Sequence, residues 1–153
     1  MAESNYTGVT SREVLIQDGH QVIYDFNLHH LDLIEKTFFP LEYETWCLTV
    51  PTSWKIELKC VRVPGNNGLY TFSVKLKRVD DSNRCVKASL HVSFYDVRGR
   101  VAFPPLISSK DIVEHDDELE DGFGDIPSAD ISHVVLVKVV IMIKRCHTET
   151  NFQ

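Results

Sequence analysis

The sequence predicts an all-β fold, an antiparallel β-sandwich, and two observations predict it. Apolar and polar residues alternate with a period of two through several separate runs, which places each set on one face of a strand. Turn signals divide those runs with no alternating βαβ rhythm between them, so the strands belong to antiparallel sheets rather than to a parallel one.

Taken in order, "QVIYDFNL" alternates through Val22, Tyr24, Phe26 and Leu28. "HHLDLIEKTFF" carries Leu31, Ile34 and Phe38 at helical spacing, enough for a turn or two. "ETWCLTV" reads as a short apolar strand closed by Pro51, and "SWKIELKCVRV" alternates through Trp54, Ile56, Leu58 and Cys60. After Cys60 the apolar role passes to Val61 and Val63, a phase change that one extra residue in a β-bulge would produce. "PGNNG" turns the chain into "YTFSVKLKRV", where Tyr70, Phe72, Val74 and Leu76 alternate with polar residues. "DDSNR" is turn chemistry again, and predicts a hairpin to the run through Val86, Ala88, Leu90, Val92 and Phe94. "PSADI" has the look of a short helical turn, and "HVVLVKVVIMI" is apolar at nearly every position, as expected of a central strand covered on both faces. A single domain over residues 13–146 with flexible ends at 1–12 and 147–153 is the organisation this implies.

At 153 residues the chain is one domain's length, enough to bury about two-thirds of its unfolded surface. No window approaches the roughly 18 consecutive apolar residues of a membrane span, and "MAESNYTGVTSREV" has no signal-peptide pattern. Cys47, Cys60, Cys85 and Cys146 form no CxxC pair; the first three sit in apolar runs and read as small buried hydrophobes in a reducing compartment, cytoplasmic or nuclear. Neither a zinc site nor a cofactor is indicated.

Charge is unevenly spread. Residues 111–125 hold eight acids and no base, leaving 14 acids against 16 Lys and Arg elsewhere. Such a body has no basic field for a phosphate backbone, so no direct nucleic-acid contact and no membrane contact are expected. The acids lack the spacing of a calcium loop, since Gly122 follows a contiguous run and no Glu lies at the required distance beyond it. Exposed carboxylates keep ordinary pKa values and suit general acid–base work poorly. The stretch reads as a solvated loop, or as an electrostatic contact for a basic partner. His29 and His30 are adjacent and point apart on a strand, which disfavours a metal site with Asp32. No nucleophile elbow, phosphate loop or paired-carboxylate cleft is visible, so no enzyme is expected. Trp46, Trp54, Phe72 and Phe94 read as core, whereas Tyr95 takes the opposite phase to Phe94 and should face an exposed sheet surface, with Phe103 beside "FPPL" as a second apolar contact.

The ordered series "YDFNL", Trp46-Cys47-Leu48, Phe72–Leu76, Ala88–Gly99, Asp121–Ile126 and Val134–Ile143 resembles the meprin-and-TRAF-homology (MATH, TRAF-like) domain over about residues 20–145. Tyr24 stands in the place of that family's opening Trp. The resemblance implies an eight-stranded antiparallel sandwich that binds a protein or an extended peptide at a sheet edge or groove, as an adaptor within a larger complex such as a ubiquitin ligase. By motif position and strand phase it points to Lys75, Tyr95, Asp121 and Phe123 as partner-binding residues. Two of these depart from the family, Asp121 replacing a groove Trp and Lys75 a Tyr, which would make the groove more charged. The alternatives are a C2-like sandwich binding calcium and a membrane surface, and a structural domain that forms homo-oligomers through its edge strands.

Overall fold

In the computed structural model, which describes residues 6–28, 36–63, 65, 68–112 and 114–146, the chain is an all-β antiparallel sandwich. Its strands are β1 (Tyr6–Ile16), β2 (Gly19–Leu28), β3 (Lys36–Glu44), β4 (Ser53–Arg62), β5 (Leu69–Arg78), β6 (Val86–Tyr95), β7 (Val101–Ile112), β8 (Glu118–Pro127) and β9 (Leu136–Lys144), with one helical turn, α1 (Ser128–Ile131), before β9. A five-stranded sheet has the order β1-β2-β9-β6-β7 and a four-stranded sheet the order β3-β4-β5-β8. There are nine strands among the described residues, where the resemblance implied eight. β1 is additional, and occupies Tyr6–Arg12, where a flexible tail was expected.

The period-two patterns become the interior directly. Tyr70, Phe72, Val74 and Leu76 of β5 face Val86, Ala88, Leu90, Val92 and Phe94 of β6 across the sandwich, and all are buried. Phe72 and Phe94 meet edge to face with ring centroids 4.8 Å apart.

Five local expectations are corrected. The "DDSNR" segment makes no hairpin: β5 pairs with β4 and β8, β6 with β7 and β9, so the segment crosses between the sheets. What fixes the crossing is Arg78, fully buried at the end of β5. Its Nε donates to Asp80, and its Nη1 donates to the carbonyls of Arg84, at 2.7 Å, and Ile112, at 3.0 Å, stitching one sheet to the other. Both apolar sets are satisfied by facing each other, which sheet-edge pairing does not provide.

No register shift occurs in β4 at Cys60. The alternation simply continues with Arg62 in the inner phase, its Nη2 donating to the Tyr70 hydroxyl at 3.0 Å while Val61 stays half-buried outside. In the four-stranded sheet the register shift lies instead where β8 passes from Phe123 to Ile126 opposite Phe72 and Tyr70.

"ETWCLTV" leaves β3 after Glu44 and forms a loop in which Thr45 and Cys47 point in while Trp46 and Leu48 point out, 78% and 101% exposed. Thr45 organises it: Thr45 N donates to Thr52 O at 3.0 Å, and the Thr45 hydroxyl accepts from the Thr52 and Cys47 amides. Those bonds stand in for a strand partner, and the one-residue phase choice sends the Trp to solvent.

The acidic stretch is mostly strand rather than loop. A turn at 114–117 leads straight into β8, and Gly122 lets β8 lie close on β5, since a Cβ there would fall 2.4 Å from Phe72 O. α1 matches the "PSADI" expectation, whereas Lys36–Phe39 is strand rather than helix. His29, His30, Leu31, Asp32, Ile34 and residues 147–153 lie outside the described residues.

Candidate functional site

Outward-facing residues of the two sheets differ in kind. On the four-stranded sheet, Lys75 of β5 stands opposite Glu57 of β4 and Glu120 of β8, and Lys77 opposite Lys55 and Glu118. The Lys75 ammonium lies 4.0 Å from the Glu118 carboxylate, and that of Lys77 lies 3.5 Å from Asp116. This face is a lattice of mixed charge, and its depression between Glu57, Lys59, Ser73, Lys75 and Glu120 holds only about 40 Å³.

The five-stranded sheet turns out a different set. One register row crosses it as Arg12, Ile23, Val140, His91 and Ile107; the row at its end is Asn27, Leu136, Tyr95 and Val101. Among the described residues no element lies over this face, so β9 is central but not covered on both sides as its sequence suggested. Val137, Val139, Ile141 and Ile143 are buried inside, while Leu136, Val140 and Met142 are half-buried outside. At the Tyr95 end an open groove of about 480 Å³ runs between Asn27, Tyr95, Val97, Leu136 and Lys138, with the Lys138 ammonium 5.9 Å from the Tyr95 ring centre. A cation over an aromatic face is attractive. The groove's floor is closed by the β6–β7 turn, in which the Asp96 carboxylate accepts from the Arg98 and Arg100 amides at 2.9 Å. Those two donors, Arg100 first, hold the Asp96 carboxyl below its ordinary range.

The four residues expected to bind a partner do not form one surface. Lys75 faces out from the four-stranded sheet and Tyr95 from the five-stranded one. Asp121 has the inner phase of β8 and acts as a fastener: its carboxylate accepts from the Ser108 hydroxyl of β7 at 2.7 Å and from the Gly122 amide at 2.8 Å. Phe123 sits in β8 opposite Phe72, and its side chain lies outside the described residues. Phe103 packs against Phe94 with ring centroids 5.5 Å apart, so it serves the core.

The sheet edges are treated unequally. β7 carries Pro104 and Pro105, and β3 carries Pro40, each lacking an amide to offer a new strand. The outward Glu118 carbonyl of β8 accepts from Lys110 at 2.9 Å, and the Gly122 amide is taken by Asp121, so side chains occupy that edge. β1 has no proline and exposes Val9, Val14 and Leu15. Glu13 ties it across the sandwich, accepting from the Tyr43 hydroxyl at 2.9 Å; burial, and then that carboxylate, raise the phenol's pKa.

The acids of 111–125 are dispersed among partners rather than gathered. Asp111 pairs with Arg145, Asp116 with Lys77 and His115, and Asp117 accepts from the Glu114 amide at 3.1 Å. Among the described residues the group of three or more potential metal ligands lies elsewhere, at His20, Cys47 and Cys146. The cysteines also depart from expectation: Cys146 is buried and Cys85 is exposed. Burial pushes the Cys60 thiol up to about 12. No helix among the described residues is long and apolar enough to cross a membrane.

No family model matches the chain, and none of the curated proteins does. Among solved structures it is similar to a DUF1425 family member from Shewanella sp. pv-4, with a TM-score of 0.42 and 9% identity over 73% of this chain and 92% of that one. It is also similar to the enzymatically active domain of tailspike protein 4 of bacteriophage CBA120, with a TM-score of 0.29 and 9% identity over 71% of this chain and 17% of that one. The fold described above rests on the strand pairing itself.

Proposed function

We propose that this chain is a non-catalytic, TRAF-like protein-interaction module that binds a partner protein or an extended peptide and acts as an adaptor within a larger cytoplasmic or nuclear assembly, of the signalling or ubiquitin-ligase kind. The observation that carries the reading is the uncovered outer face of the five-stranded sheet. Half-buried Ile23, Leu136, Val140 and Met142 lie there beside the Tyr95–Lys138 groove, and the unblunted strand β1 borders it. An extended segment pairing with β1 would gain main-chain hydrogen bonds, while side chains reaching onto the face would supply selectivity. Apolar anchors in a groove carry most interface energy, and the mixed-charge face of the other sheet offers none. Lys75, Asp121 and Phe123 are thereby secondary to Tyr95, with Lys75 and Asp121 already engaged by the chain's own groups.

Selection of a displayed peptide library on the full chain tests this, followed by titration of the enriched peptides against three variants. Val14→Lys on β1 and Leu136→Lys at the groove should each weaken binding at least about tenfold, the scale of one lost apolar anchor. Lys55→Glu on the other sheet should leave it unchanged. Failure to enrich any peptide, or a loss confined to Lys55→Glu, would sink the reading; light scattering at two concentrations separates a peptide partner from a second copy of the chain.

A further inference from the structure

We propose that His20, Cys47 and Cys146 form a binding site for one zinc ion, closing the end of the sandwich where the 45–52 loop meets β2 and the end of β9. Their ligand atoms, one imidazole nitrogen and two sulfurs, all lie within 4.8 Å of one another, and all three residues are buried. Three distant parts of the chain supply them. His20 is the second residue of β2, in register with Ile143 of β9, and shares the inner phase of Val22 and Tyr24. Cys146 follows β9 just beyond Arg145, whose positive φ of 68° and amide bond to Asp18 O turn the chain inward. Cys47 is the inward residue of the loop that Thr45 organises, and its Sγ accepts from the Val50 amide at 3.5 Å.

The donor set selects the ion. Two sulfurs and an imidazole are soft and borderline ligands, which suit a d¹⁰ ion and not calcium or magnesium. With both thiols as thiolates and the imidazole neutral, a zinc ion makes the site electrically neutral, the condition under which burial costs least. Metal–ligand bonds of about 2.1–2.3 Å in a tetrahedron put ligand atoms roughly 3.5–3.8 Å apart, so the side chains need close by only about 1 Å from the separation the structure permits. Water would complete the fourth position. Bound zinc would pin the loop that displays Trp46 and Leu48, the two most exposed large apolar residues at that end.

The test uses the full chain, reduced and stripped of metal, titrated with cobalt(II) and then zinc(II). The expected result is about one cobalt per chain with a thiolate-to-metal charge-transfer absorption and the intense visible bands of tetrahedral cobalt, all abolished by stoichiometric zinc, together with a rise in Tm on adding zinc. Cys146→Ser and His20→Gln should each weaken cobalt binding more than about tenfold, whereas Cys60→Ser, which removes a buried thiol outside the cluster, should not. If the site variants do not fold, the wild-type cobalt spectrum decides alone. Absence of thiolate charge transfer in wild type, bands that survive in folded Cys146→Ser, or a Cys47–Cys146 disulfide in chain purified without reductant would each overturn the site.

Discussion

The two sheets share one interior and differ on their outsides. On the four-stranded sheet every outward position of β5 from Thr71 to Lys77 is polar; Lys75 stands between Glu57 and Glu120 and Lys77 between Lys55 and Glu118, so acids and bases intermix and the face stays in water. On the five-stranded sheet the central strand β9 turns out Leu136, Val140 and Met142 with a single Lys138 between them. One face is thus polar along its central strand, and the other mixes apolar and polar positions along its own. The contrast therefore separates what holds the molecule together from what it presents.

Phe94→Ala breaks the shared part and carries the largest expected effect. Phe94 is buried, meets Phe72 of the opposite sheet at 4.8 Å and supports Phe103 at 5.5 Å, so truncation opens a cavity at the seam. Denaturant unfolding should show a loss of about 3–5 kcal/mol. A loss below about 1 kcal/mol would mean that the sheets do not pack through this pair.

How much of this was legible in the sequence follows from the range of each signal. Period two is a local property, so the inward sets of β2, β4, β5 and β6 could be read residue by residue, and with them the sandwich class. Pairing is non-local: nothing in "DDSNR" says that β5 and β6 belong to different sheets, because that choice is made by a buried Arg78 reaching the Ile112 carbonyl 34 residues away. Trp46 misled for a related reason, since a one-residue phase inside an apolar run is invisible until Thr45 bonds Thr52. The outward phase of Tyr95 was readable from Phe94 beside it, yet its distance from Lys75 was not. The cluster at His20, Cys47 and Cys146 has no spacing motif at all, because topology rather than sequence proximity assembles it.

A pair of outer-face substitutions sharpens the contrast, at about 1 kcal/mol each. Lys75→Glu would set a fourth acid among Glu57, Glu118 and Glu120, and like charges on neighbouring strands repel. Lys75 is part-exposed, so solvent screening holds the cost near 1 kcal/mol at low salt and shrinks it as salt rises toward 1 M. Val140→Ser on the other sheet loses apolar contact beside Ile23, also at about 1 kcal/mol, with no such salt dependence. Urea midpoints for both variants at low and high salt check this; equal salt responses would erase the distinction between the faces.

The smallest effect lies in the turn beneath the Tyr95 groove. The amides of Arg100 and Arg98 favour the charged form of Asp96, so its carboxyl has a lower pKa folded than unfolded. A depressed acid contributes stability that is present above its unfolded value of 3.8, and that stability is lost as pH falls through the lower folded value. Asp96→Asn keeps an acceptor oxygen for the same amides and removes the titration. Wild type should therefore exceed the variant in urea midpoint by a constant margin at pH 5–7, and the margin should close only below about pH 4. Because the turn joins only β6 to β7, the charged face of the other sheet has no part in it. A margin that instead tracked salt at neutral pH would place its origin in the neighbouring arginine charges rather than in the two amide bonds.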